Sequence, residues 1–322
     1  MPALDAEAIA RTTCYSTDSS HEWKIALSQT RHRIEIVSRF DIRPGSNVLE
    51  IGCGQGDCTV VLAAAVGGNG HVTAVDTAPL DYGTPTCAKF ATTLCTTLKC
   101  AIGSPFTIGQ AQSHISKGEL GSRITWVQNN PISFLESRRA SDPDFALIVF
   151  AHSLWYFSSP EQIRSTLNAA ARHATRIAIA EYSLHASPSV GPNAVPHVYA
   201  AFAQAALEVH KPKSISNIRT VVGPKAITAF AANAKLKIVQ QATFTPAADV
   251  DDARWETGFV KGAGFLKEVR TILAKNDRER ELALALRDAM LASINDIPEG
   301  SRGVRTMDVW CAVFESAGST KR

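Results

Sequence analysis

Residues 47–57 read NVLEIGCGQGD: an apolar run passes directly into Gly52-x-Gly54-x-Gly56, and the helical stretch Thr59–Ala65 follows. Glycines at that spacing let the chain turn sharply after a buried strand and bring backbone N–H groups to the start of a helix. A strand–turn–helix of this kind is the opening of a parallel sheet with crossover helices. The rest of the chain repeats the alternation. His71–Val75, Ile124–Val127, Phe145–Phe150 and Arg176–Glu181 read as further strands, and Leu236–Thr245 and Met307–Glu315 as two more. Helical spacing is present at Ile25–Phe40, Thr107–Lys117, Pro160–His173, Val195–His210, Trp255–Lys275 and Arg278–Ile294. The predicted fold is α/β, a Rossmann-like doubly wound sheet of seven mostly parallel strands with an inserted helical lid.

At 322 residues the chain exceeds the ~100–200 typical of one domain. Three long connections account for the excess: residues 77–122, 183–222 and 246–306. The expected organisation is an N-terminal arm and helix over 1–44, a cofactor-binding core over 45–182 and a helical lid insertion over 183–222. Residues 223–322 would complete the core with its last two strands and carry the helical insertion 246–306. Thr84–Ile102, rich in Thr and holding three cysteines, reads as an added segment with no assigned role.

Composition excludes several classes. Lys+Arg of 33 against Asp+Glu of 30 gives a net charge of +3, too small an excess for a phosphate-binding surface, so no nucleic-acid partner is expected. The longest apolar runs, Val60–Val66 and Phe145–Ala151, are far below the ~20 residues of a membrane span. The N-terminal MPALDAEAIAR has no signal-peptide pattern. Seven cysteines without a CxxC pair argue against zinc ribbons and redox motifs, and free thiols suit a cytoplasmic setting. No metal cluster is read from the sequence, and the oligomeric state is left open.

The glycine spacing separates two cofactor classes. A dinucleotide fingerprint is G-x-G-x-x-G, which would put its third glycine at position 57. Position 57 is Asp, and the glycine stands one residue earlier. A carboxylate there repels a pyrophosphate and favours a cation. Glu50, just before the turn, adds negative charge. Asp76 ends the second strand, twenty residues past Gly56, where a carboxylate can accept both hydroxyls of a ribose. The loop therefore suits a cationic nucleoside. Asp57 can equally serve as a first-turn helix acid, and Asn129–Asn130 before Pro131 as turn chemistry.

On VLEIGCGQGD, HVTAVD, ITWVQNNP and DFALIVFAHSLWYF, the chain resembles the class I S-adenosylmethionine-dependent methyltransferases, with the look of fungal small-molecule enzymes of secondary metabolism. The resemblance covers roughly residues 45–182 and the final strand pair. It implies S-adenosylmethionine as cofactor, with Glu50, Gly52, Gly54, Gly56 and Asp57 around its methionyl part and Asp76 on its ribose. Asn130 stands at the adenine position, where the family usually has an acid; an amide oxygen can still accept from the adenine amine. N-terminal arms close over the nucleoside in this family, which brings in Tyr15, His21 and Trp23.

Residues just past the carboxyl ends of parallel strands face the ligand crevice. His152 is the best-placed base there, titrating near neutral pH, and would also border the cofactor. Glu181 is the second catalytic candidate. Trp155, Tyr156, Tyr182, His197 and Tyr199 are candidate substrate-binding residues. The chain lacks an [N/D]-P-P-[Y/F] tetrapeptide, which further lowers methylation of nucleic-acid bases. The expected reaction moves a methyl group to O, N or S of a small, apolar or aromatic acceptor. The alternative is an S-adenosylmethionine-binding enzyme that does not methylate, or a regulatory subunit with this fold.

Overall fold

The computed structural model describes residues 4–14, 20–83, 106–139, 141–211, 213–214 and 216–316. Tyr15 and the Thr84–Ile102 segment lie outside the described residues. In chain order the elements are α1 (Ala6–Ala10), α2 (Ser20–Val37), β1 (Asn47–Ile51), α3 (Asp57–Val66), β2 (His71–Asp76), α4 (Ile108–Lys117), β3 (Ile124–Gln128) and α5 (Pro131–Glu136). They continue with β4 (Leu147–Ala151), α6 (Pro160–Ala170), β5 (Arg176–Tyr182), α7 (Val195–Glu208), α8 (Pro224–Asn233) and β6 (Leu236–Phe244). The last are α9 (Asp252–Lys261), α10 (Ala263–Ile272), α11 (Asp277–Asn295) and β7 (Val309–Ser316). The strands form one seven-stranded sheet in the order β3-β2-β1-β4-β5-β7-β6. The chain divides into two compact units, Met1–Phe134 and Leu135–Arg322.

In the first unit β1, β2 and β3 run parallel, Asn47 level with His71 and Val72 with Ile124. Val48, Leu49, Val72, Ala74 and Val75 are buried because a parallel strand is covered on both faces. α3 is apolar almost all round, with eight of its ten residues buried, as a crossover helix against a sheet must be. Thr107 caps α4 in a reciprocal box with Gln110, a T-x-x-Q signal legible in the sequence.

In the second unit β4 and β5 are parallel, while β7 inserts antiparallel between β5 and β6. That single reversal makes the sheet mostly, not wholly, parallel. The 246–306 connection forms three helices where the periodicity suggests two. Gly262, with extended φ −67° and ψ 157°, ends α9 and caps α10, breaking the run expected over Trp255–Lys275. α8 escapes the periodicity, although Gly223 followed by Pro224 at its first position is a recognised start signal. α7, α9, α10 and α11 share a core in which Leu207, Val260, Phe265, Leu273 and Met290 are almost fully enclosed. The second and third long connections thus build one helical layer. Among the described residues no helix is long and apolar enough to cross a membrane.

Candidate functional site

The glycine loop between β1 and α3 lies in the first unit. Gly52, Gly54 and Gly56 take φ of +82°, +51° and +98°, the left-handed region that disfavours a side chain. A Cβ on Gly54 would meet nothing within 4 Å, so the loop has open space over its middle glycine. One on Gly56 would lie 2.6 Å from Trp126 Cη2 and 2.8 Å from Ile115 Cδ1, so this glycine packs the turn against β3 and α4. Gly56 is also the N-cap of α3 and supplies no capping side chain, leaving the helix start to present its own N–H groups.

Asp76 ties the loop to the end of β2. Its Oδ2 accepts from Gly54 N–H at 2.8 Å and its Oδ1 from Ala78 N–H at 2.8 Å. Each carboxylate oxygen keeps a second lone pair, so vicinal hydroxyls can still be bound. Two amides that the sequence did not single out clamp the loop: Gln112 Nε2 donates to Gly54 O at 2.9 Å and Gln55 Nε2 to Phe106 O at 2.6 Å. Gln55 stands inside the glycine loop and Gln112 on α4.

Glu50 stands differently from the expectation of a charge offered to ligand. It is 1% exposed, and its Oε2 accepts from Thr59 Oγ1 at 2.5 Å, joining β1 to α3. Loss of water pushes its carboxyl up to about 7, against the opposing hydrogen bonds from Thr59 and Cys58. Asp57 opens α3 as a first-turn acid. Asn130 is engaged locally: its Oδ1 accepts from Ile132 N–H at 2.9 Å and Ser133 N–H at 3.3 Å, starting α5 as the turn-chemistry alternative describes.

The second unit holds the other candidates. His152 follows β4 with φ +51°, unusual for a residue with a side chain, and is 8% exposed. Glu181, at the end of β5, holds that turn: Oε2 accepts from Leu154 N–H at 3.1 Å and Oε1 from Tyr182 N–H at 3.1 Å. His152 Nδ1 lies 3.4 Å from the same Oε1. A carboxylate already accepting from two amides orients the ring with Nδ1 as donor, leaving Nε2 as the basic nitrogen.

Tyr182 is the hub of a ring cluster. His152 lies 4.3 Å from it, Trp155 5.3 Å and His197 5.0 Å, centroid to centroid. Its hydroxyl donates to Asp252 Oδ1 at 2.9 Å. Trp155 is enclosed, its Nε1–H bonded to Val222 O at 2.9 Å, as a core tryptophan is. Tyr156 is 44% exposed and Tyr199 packs on the helical layer, so neither joins the cluster. Asp252 on α9 thus reaches β5, and Gln204 on α7 donates to Glu256 on α9, contacts that no local spacing in the sequence shows. Among the described residues no group of His, Cys, Asp and Glu could hold a metal ion.

Comparisons with known proteins point the same way. A model of the protein-L-isoaspartate(D-aspartate) O-methyltransferase family matches residues 16–80, which contain the glycine loop and Asp76. The methyltransferase phomM of Diaporthe leptostromiformis is 27% identical over 303 residues, covering 84% of this chain and 73% of that protein. Among solved structures, a cyclopropane-fatty-acyl-phospholipid synthase-like protein from Lactobacillus casei superposes with a TM-score of 0.73 at 26% identity. That match covers 96% of this chain and 98% of the other. With a left-handed Gly52-x-Gly54-x-Gly56 turn, an acid at the end of β2, a seven-stranded sheet with one antiparallel strand and these relatives, the chain is similar to the class I S-adenosylmethionine-dependent methyltransferases.

Proposed function

We propose that the chain methylates a small, apolar or aromatic molecule at O, N or S. The observation that carries the reading is the loop itself: three left-handed glycines with open space over Gly54 and Asp76 bonded to the Gly54 amide. Bound there, S-adenosylmethionine supplies an electrophilic methyl carbon. Asp76 holds the ribose hydroxyls, the α3 N-terminus presents N–H groups, and Asp57 favours a positive ligand. Glu50 keeps β1 and α3 at the spacing the turn requires. His152, with Nδ1 turned to Glu181, offers Nε2 as the base that removes a proton from the acceptor. Glu181 is a positioning residue that acts through His152 and the 152–154 turn. Tyr182 at the end of β5 and His197 on α7 supply the acceptor's surroundings in the second unit.

Alignment of two reactants contributes roughly 7–11 kcal/mol to such a displacement and a general base about 3–5 kcal/mol. His152→Ala should therefore leave measurable turnover. Calorimetric titration with S-adenosylmethionine, S-adenosylhomocysteine and NAD tests the cofactor. Tight NAD binding without response to the other two would overturn the reading. Asp76→Ala should weaken S-adenosylhomocysteine by at least about tenfold, since two charge-assisted hydrogen bonds are lost. Incubation of radiolabelled cofactor with phenols, amines and thiols then tests transfer; binding without any methylated product would favour a non-methylating role.

A further inference from the structure

A cavity of about 270 Å³ opens in the second unit, lined by Ser158, Glu208, Lys211, Lys213, Ser214 and Arg219. Its wall is tied to the turn after β4. Arg219 N–H and Thr220 N–H donate to Trp155 O at 2.8 and 3.0 Å, and Thr220 Oγ1 donates to Phe157 O at 2.7 Å. The three cations differ in what they already hold. Lys211 Nζ donates to Glu208 Oε1 at 2.5 Å and to Glu268 Oε2 at 2.7 Å, so two carboxylates answer its charge. Lys213 is exposed and Arg219 half-buried, and among the described residues no carboxylate pairs with either. Arg219 Nη1 lies 3.5 Å from Ser214 O, the outer limit of a hydrogen bond, and its Nε is buried with no partner. A buried donor without an acceptor is rare in a folded protein. Ser214 Oγ accepts from Ser216 N–H at 3.0 Å, which leaves its own proton to donate. Acceptors face the same space. Glu208 Oε1 receives Lys211 and, at 2.7 Å, Ser216 Oγ, while Glu208 Oε2 is buried without a partner. Ser158 Oγ donates to Gln162 Oε1 at 2.9 Å and can only accept further. Two unanswered cations thus call for an anion, and the planar fork of Arg219 matches a carboxylate. Glu208 repels a second negative charge and calls for a hydrogen-bond donor.

We propose that this cavity binds a small, singly charged carboxylic acid that carries hydroxyl groups, its carboxylate held by Arg219 and Lys213 and a hydroxyl donating to Glu208. The site lies wholly within the second unit, and its binding is non-covalent, so it stands whether or not the chain methylates. Among the described residues every side chain lining the space ends in a polar group, which suits a hydroxylated body over a hydrocarbon one. The volume falls just under the ~300–1,000 Å³ usual for ligand pockets, which fits a small molecule. A phosphate monoester, close to doubly charged at neutral pH, would set its second charge against Glu208.

Four six-carbon probes test the cavity by calorimetry on the full chain: gluconate, with acid and hydroxyls; hexanoate, with the acid alone; sorbitol, with hydroxyls alone; and glucose 6-phosphate, with hydroxyls and a double charge. Gluconate should bind tightest, with hexanoate and glucose 6-phosphate each about tenfold weaker, since each loses or opposes one charge-assisted contact. Sorbitol should not bind measurably. Arg219→Gln should weaken gluconate and hexanoate alike by at least about tenfold, because the carboxylate loses its bidentate partner. Lys213→Gln changes an exposed side chain and should weaken both about threefold, as loss of a single solvated charge does. If Arg219→Gln fails to fold, the Lys213→Gln arm and the probe ranking decide. Absence of gluconate binding, hexanoate or sorbitol binding as tight as gluconate, or glucose 6-phosphate binding tighter would each overturn the proposal. So would an unchanged gluconate affinity in Lys213→Gln or in folded Arg219→Gln.

Discussion

Gly54 and Gly56 stand two residues apart in the same turn, yet a side chain at each meets different surroundings. At Gly54 an added Cβ finds open space but must adopt φ +51°, at a cost of about 1–2 kcal/mol. At Gly56 it must also displace the rigid edge of Trp126. Gly54→Ala should therefore melt only a few degrees lower while losing cofactor affinity, because its Cβ enters the ligand's space. Gly56→Ala should lose distinctly more stability, to be compared by thermal melts and calorimetry. Glu50 gives a pH signature. Its carboxyl is raised to about 7 from an ordinary 4.5, so the native state holds a proton that the unfolded chain releases. Its contribution makes stability fall as pH rises from about 4.5 to 7 and then level off. Glu50→Gln should flatten that decline, by up to about 3 kcal/mol at pH 8, in urea melts across the range.

Short elements position the second unit's chemistry. The turn after β4 carries a residue with positive φ, and two backbone N–H groups and one imidazole converge on the single carboxylate at the end of β5. Glu181→Gln replaces one acceptor oxygen by an NH2 that faces an N–H donor. It should cost about 2–3 kcal/mol in denaturant unfolding and lower kcat more than His152 packing changes alone would. The same element logic explains how much was legible. The strand positions β1, β2, β3 and β5 follow directly from apolar runs bounded by turns. The positions of His152 after β4 and of Glu181 and Tyr182 at the end of β5 follow from the same strand boundaries. The split of α9 from α10 did not show, since one glycine interrupts an apolar period without erasing it. Asn130 was readable both ways, and its engagement with Ile132 and Ser133 depends on where α5 starts.

At the scale of the molecule, residues far apart in sequence share one helical core. Phe265 on α10 is fully enclosed among residues of α7, α9 and α11. Phe265→Ala should cost about 3–5 kcal/mol. If the layer opens as a unit, hydrogen exchange in the variant will quicken first in α7 and α9–α11, with the β1–β3 amides keeping their protection. His197 adds an acid sensitivity to the same layer. Because its folded pKa is lowered to about 4, the unfolded chain binds a proton first, and stability from this group is lost as pH falls from about 6.5 to 4.

The sequence by itself determined the strand pattern, the glycine turn between β1 and α3 and the acid at the end of β2. Those properties are local: a strand, a glycine spacing and a helix start lie within a dozen residues, and their chemistry follows from backbone geometry. Only the tertiary structure decided that Glu50 is enclosed, that Asp252 meets Tyr182 and that Gln204 meets Glu256. Desolvation and helix pairing depend on what the rest of the chain packs around a residue, and no spacing within one segment encodes that.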